Sequence, residues 1–182
     1  MYLFSWLFLS KYDGVYQRDS ENYPFLFDIL NVENYGFYGL ICIMKIIDAH
    51  SHINYISCDL QSDVVGVICC ANNQNDWTKL IDITHDNNNV YGAFGIHPWT
   101  VQDVTHRFES ELRDLLKTNN RFMIGEIGLD YHDPEYYPDP KTQKYWFVRQ
   151  LEEAVKLNAP VCIHSRDADG ETFDILKKHA LG

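Results

Sequence analysis

With 182 residues, 46% of them hydrophobic, the chain has enough apolar material for one globular domain, which excludes an intrinsically disordered one. Its formal net charge of −11, from 26 acidic and 15 basic side chains, excludes general electrostatic attraction to nucleic acid. A nucleic-acid partner would have to be held through bound cations and a few local basic groups.

Residues 1–43 are rich in Tyr, Phe, Asn and Leu and show no sustained periodicity. Residues 1–9 are apolar but have no basic residue before them and no small-residue cleavage site after them. Residues 35–47 form a second apolar run, interrupted by Lys45. Both are too short to span a bilayer, so no membrane segment is expected. The segment 1–43 reads as an N-terminal extension of unknown role, and 44–182 as the folded domain, with Met44 just ahead of its first strand.

From Met44 onward, short β-branched runs alternate with charged, helix-like stretches, the pattern of βα units around a parallel sheet. Strands are predicted at 45–49, 64–70, 90–95, 122–126 and 161–164. Helices are predicted at 75–85, 109–117, 142–158 and 171–179. The third helix is the clearest, with Trp146, Phe147, Leu151, Ala154, Val155 and Leu157 recurring at helical spacing. The first crossover, 51–63, has little room for a full helix. Of the five cysteines, Cys42, Cys58, Cys69, Cys70 and Cys162, none forms a C-x-x-C pair. They are expected to be buried, reduced thiols of a cytosolic protein.

Polar groups recur where these strands end. Ile46, Asp48, His50 and His52 share one parity, so two histidines can converge on a cation, with Asp48 available to orient one of them. An H-x-H pair alone also fits two histidines bonded to water or backbone. Phe122, Ile124 and Glu126 are read as one face of the fourth strand, with Glu126 at its end between glycines. A buried glutamate is costly unless a metal or another cation compensates it. Pro160, Cys162 and His164 repeat the arrangement on the fifth strand. Arg166 follows, its planar fork suited to a phosphate or to a salt bridge with Asp130, Asp167 or Asp169. Tyr91, Ala93, Gly95 and His97 share a face of the third strand. His97 reads either as a substrate or supporting group in the same cavity or as a structural histidine. His85, His106 and His179 read as exposed helix residues and His132 as part of a polar loop.

Four motifs occur in order: Asp48-Ala49-His50-Ser51-His52, Gly95-Ile96-His97-Pro98, Gly125-Glu126-Ile127-Gly128-Leu129-Asp130-Tyr131, and Pro160-Val161-Cys162-Ile163-His164-Ser165-Arg166-Asp167-Ala168. Together they resemble the TatD-like metal-dependent deoxyribonucleases, which are amidohydrolase-type TIM barrels, over residues 44–182. The resemblance implies a partial (β/α)8 barrel with about five of the eight βα units. It implies two divalent cations (Zn, Mg or Mn), with His50 and His52 on the first, His164 on the second and Glu126 bridging them. Glu126, His97 and Arg166 are the implied catalytic side chains. The family pattern continues with a further histidine and an aspartate that have no counterpart here, and His179 is no substitute. The implied reaction is cleavage of DNA phosphodiester bonds by metal-activated water, in the cytoplasm, with no membrane and no obligate protein partner. The alternatives are a metal hydrolase acting on another ester or an amide, and an inactive fragment or binding module. Five strands alone would leave sheet edges open.

Overall fold

The structure is a computed structural model that describes residues 45–55 and 64–180. The extension 1–43, Cys42, Cys58 and most of the first crossover lie outside the described residues. Five strands form one sheet: β1 (Ile46–Ser51), β2 (Val64–Cys70), β3 (Val90–Phe94), β4 (Phe122–Asp130) and β5 (Val161–Arg166). Four helices alternate with them: α1 (Trp77–Asp86), α2 (Phe108–Leu116), α3 (Pro140–Leu157) and α4 (Asp169–His179). No described helix is long and apolar enough to cross a membrane.

All neighbouring strands are parallel, and their order in the sheet is β1-β2-β3-β4-β5. A doubly wound sheet reverses its order at a switch point, whereas a barrel adds strands in chain order. The sheet is therefore part of a (β/α) barrel, as expected.

The sheet buries both faces, for different reasons. On the helical face, Val67, Cys69, Phe94, Ile124, Ile127, Leu129, Val161 and Ile163 pack against Leu80, Phe108, Leu112, Phe147, Leu151 and Leu176. On the helix-free face, Ile68, Cys70, Ala93, Met123 and Cys162 form a smaller cluster. In β2 and β5 the alternation follows the two-residue period of a strand. In β4 it does not. Phe122 and Ile124 belong to the helical face, whereas Glu126 turns to the other, so the expected shared face of these three residues is wrong. The pairing of β4 with β5 shifts register between Ile124 and Ile127, and this irregularity resets the parity.

β4 also runs four residues beyond its predicted end, to Asp130, and all nine of its residues are buried. Two glycines let it approach β5. A Cβ at Gly125 would lie 2.6 Å from the Cys162 Cβ, and one at Gly128 would collide with the His164 carbonyl oxygen. Helix α3 starts two residues before its predicted start. Pro140 occupies the first helical turn, and the Asp139 carboxylate accepts the N–H groups of Lys141 and Thr142 at 2.9 and 3.2 Å. Asn158, the expected end of the helix, caps it in the left-handed conformation with φ 51°. His106 lies in a turn rather than a helix.

Two buried glutamines of α3 tie the helical layer to the strand ends. Gln150 accepts the Ile96 N–H at 2.7 Å and donates to the Ile96 carbonyl at 3.1 Å. Gln143 does the same for Asp130, at 2.8 Å in both directions, and also donates to the Pro138 carbonyl at 2.7 Å. On the same helix the buried Glu153 accepts from Arg113 at 2.6 Å and from Lys156 at 2.8 Å.

Replacing Gln150 with Leu deprives the buried N–H and C=O of Ile96 of these partners, at about 1–3 kcal/mol each. The urea midpoint should fall accordingly without a change in slope; an unchanged midpoint would show that the glutamine does not hold this backbone. Burial opposes charge on Glu153, but Lys156 and Arg113 outweigh it and hold the carboxyl below its ordinary value of 4.5. Its contribution is thus complete above pH 4.5 and is lost as pH falls through the lower folded value. Glu153→Gln should therefore flatten the acid limb of a stability–pH profile, and an identical limb would count against the pairing.

Candidate metal centre

Glu126 is the centre of the site and is 2% exposed. Its two oxygens face different partners. Oε2 lies 3.6 Å from Nε2 of His50 and 3.6 Å from Nε2 of His52. Oε1 lies 2.8 Å from Nδ1 of His164 and 3.9 Å from Nε2 of His97. The His50 and His52 Nε2 atoms are 3.0 Å apart, and His97 Nε2 is 3.1 Å from His164 Nδ1. Four histidines, one near the end of β1, one just beyond it, one from β5 and one from the loop after β3, thus enclose a single carboxylate, toward the C-terminal ends of parallel strands where barrel sites form.

Both groups around the carboxylate have the spacing of cation ligands. A tetrahedral ion with bonds of about 2.1 Å sets neighbouring donors roughly 3.4 Å apart. His50, His52 and Glu126 are separated by 3.0–3.6 Å, and His97, Glu126 and His164 by 2.8–3.9 Å. The two groups share Glu126.

Hydrogen bonds on the far side of each ring decide which nitrogen is available. His52 Nδ1 lies 2.9 Å from the Cys70 carbonyl oxygen, which can only accept, so Nδ1 carries the proton and Nε2 keeps a lone pair. His164 Nε2 donates to Asp130 at 2.9 Å and leaves Nδ1 facing Glu126. His97 is the reverse. Its Nδ1 accepts the Trp99 N–H at 3.2 Å, so the proton of its neutral ring is on Nε2, and His97 is a donor rather than a ligand.

Electrostatics follow this division. Burial pushes His97 down to about 3, which keeps it neutral. Burial also works against charge on His164, but its bonds to Asp130 and Glu126 prevail and hold it up at about 9. Glu126 is likewise penalised by burial, yet the bond to His164 and the nearby His52 and His97 rings hold its carboxyl well below the usual carboxylate range. Burial lowers His50. For His52 the interaction with Glu126 is the largest influence and raises it.

The remaining predicted residues are nearby but differently engaged. Asp48 accepts the backbone N–H of His50 at 3.1 Å, so it holds backbone rather than a ring. Arg166 ends β5 in register with Asp130. Nearby, Asp130 accepts from His164 and Trp99, Asp167 pairs with His132, and Asp169 accepts from Ser165. Asp130 itself was not expected at the site. It shares strand parity with Glu126 and Gly128, a signal hidden by ending β4 at Glu126. Trp99, which donates to Asp130 at 2.8 Å and stacks on Tyr137 at 4.9 Å, carries no sequence signal of its role.

The family model described as TatD related DNase matches residues 47–182. The chain belongs to the TatD-related family. The human 3'-5' RNA nuclease TATDN2 is 39% identical over 89 residues, covering 49% of this chain and 12% of that protein. The uncharacterized metal-dependent hydrolase YabD of Bacillus subtilis is 28% identical over 142 residues, covering 72% of this chain and 54% of its own length. Among solved structures, the TatD homologue YJJV of Escherichia coli K12 superposes with a TM-score of 0.63 at 22% identity, covering 75% of this chain and 57% of that one. This TatD-family chain thus spans about half the length of YabD and of YJJV.

Asp130→Asn should weaken divalent-metal binding about ten- to a hundred-fold, the usual cost of losing a carboxylate behind a ligating histidine. Isothermal titration with Mn²⁺ reads this directly, and equal affinities would remove Asp130 from the centre.

Proposed function

We propose that the chain carries a divalent-metal hydrolase centre that cleaves phosphodiester bonds of nucleic acid, with DNA as the first substrate to test. The observation that supports this most is the buried Glu126 carboxylate, whose two oxygens address two separate histidine groups. In this reading His50 and His52 with Oε2 hold one cation, and His164 with Oε1 holds the other. Two divalent cations so held would supply Lewis acidity and an activated water for attack on phosphorus.

The chain's own residues do the rest. His97, neutral and with its proton on Nε2, donates a hydrogen bond into the space beside Glu126 and orients a substrate oxygen. Arg166 offers a guanidinium fork to a phosphate. Asp130 keeps the His164 ring turned so that Nδ1 faces inward. Because the chain as a whole is strongly acidic, substrate affinity depends on the cations and on Arg166 rather than on bulk charge. Residues 44–182 form the catalytic part and 1–43 an extension to it. The free, buried thiols of Cys69, Cys70 and Cys162 suit a reducing compartment such as the cytoplasm.

DNA and RNA are both tested, since the family description names a DNase and the human relative is named for RNA. Labelled single-stranded DNA and RNA oligonucleotides are incubated with the purified chain and Mg²⁺, Mn²⁺ or Zn²⁺. Cleavage should require a cation, stop on chelation, and fall in Glu126→Gln by more than the roughly hundred-fold upper cost of losing a supporting group. No cleavage with any cation, or equal cleavage by Glu126→Gln, would refute the proposal.

A further inference from the structure

His50 has a second side. Its Nε2 faces Glu126, while its Nδ1 lies 3.3 Å from Sγ of Cys70 and 3.9 Å from Sγ of Cys162. The two sulfurs are 3.7 Å apart. Cys70 comes from the end of β2 and Cys162 from β5, so strands distant in the sheet bring them together across the helix-free face. Among the described residues, this is the one group that offers sulfur in metal-ligating geometry.

The spacing is informative. A tetrahedral cation with bonds of about 2.3 Å to sulfur and 2.0–2.1 Å to nitrogen sets a sulfur–sulfur edge near 3.8 Å and nitrogen–sulfur edges near 3.6 Å. The observed edges of 3.7, 3.3 and 3.9 Å straddle these values. Two thiolates and an imidazole prefer a soft or borderline ion, whereas the histidine–carboxylate groups also suit harder ones. Cys70 and Cys162 are 0 and 1% exposed, but the His50 side chain is 18% exposed and gives a way in.

We propose that Cys70, Cys162 and Nδ1 of His50 form a separate site for a thiophilic cation of the Zn²⁺ and Cd²⁺ class. On binding, both thiols release their protons to solvent, and the two thiolates with the neutral imidazole take three positions around the ion. The site shares His50 with the carboxylate centre. A neutral imidazole that gives Nδ1 to one ion carries its proton on Nε2, so it cannot ligate a second ion there. The two sites therefore compete for the ring, and a thiophilic ion withdraws His50 from the carboxylate.

X-ray absorption at the metal edge of the Zn²⁺- or Cd²⁺-loaded full chain tests this. The expected result for Zn²⁺ is two sulfur neighbours at about 2.3 Å. The sulfur shell should vanish in Cys70→Ser/Cys162→Ser. It should persist in Cys42→Ser/Cys58→Ser/Cys69→Ala, which retains only the proposed pair, and in Glu126→Gln. Persistence in Glu126→Gln separates this site from the hydrolytic centre, so either reading can fail without the other. Circular dichroism verifies folding; if the pair variant does not fold, the variant retaining only Cys70 and Cys162 decides. Nitrogen and oxygen neighbours alone, or a sulfur shell lost in that retaining variant, would overturn the proposal.

Discussion

A carboxylate buried within an apolar strand has to be compensated, and much of the surrounding structure follows from that requirement. Glu126 cannot turn to water, and an unpaired charge in that position would be expensive. Histidines arrive from the ends of β1 and β5, from just beyond β1, and from the loop after β3. Each ring is then fixed from behind by a backbone carbonyl, a backbone N–H, a thiol or a carboxylate. These outer bonds determine which nitrogen carries a lone pair, and hence which histidines can ligate and which can only donate.

The helical layer contributes more than a cover. Gln143 and Gln150 lie seven positions apart on α3, two turns of helix, and each reaches down to one stretch of strand-end backbone. One stretch carries Asp130, which orients His164, and the other precedes His97. The packing that stabilises the barrel wall and the placement of the polar groups at its rim are therefore mechanically connected. A single rigid helix sets both positions, so the site inherits the precision of the core.

The fold class was legible because periodicity and chain order survive without tertiary information. The second strand matches its predicted bounds, and each of the others is found within a few residues of the expected start. His50, His52, Glu126, His97 and His164 all converge, since each lies in the C-terminal part of a strand or just beyond it. What was illegible depended on events between strands. The parity of β4 could not be extrapolated through Gly125 and Glu126, because its register against β5 shifts there. Asp130 was hidden by the same misjudged strand end. Gln143 and Gln150 look like polar surface residues in a helical pattern, and only the backbone beneath them explains their burial. Cys70 and Cys162, 92 positions apart, read as inert apolar thiols until the sheet brings them to the same ring.

Gly128 has no side chain to offer the site, yet it governs the site's dimensions. It pairs directly with His164, and there is no space for a Cβ against the His164 carbonyl. Any other residue at this position would enter as a wedge between two strands whose ends carry Glu126, Asp130 and His164. The wedge would move the imidazole relative to both carboxylates without touching any of the three. Every missense change at this codon is consequently a change in aperture, and the position is invisible to a search for chemically reactive residues.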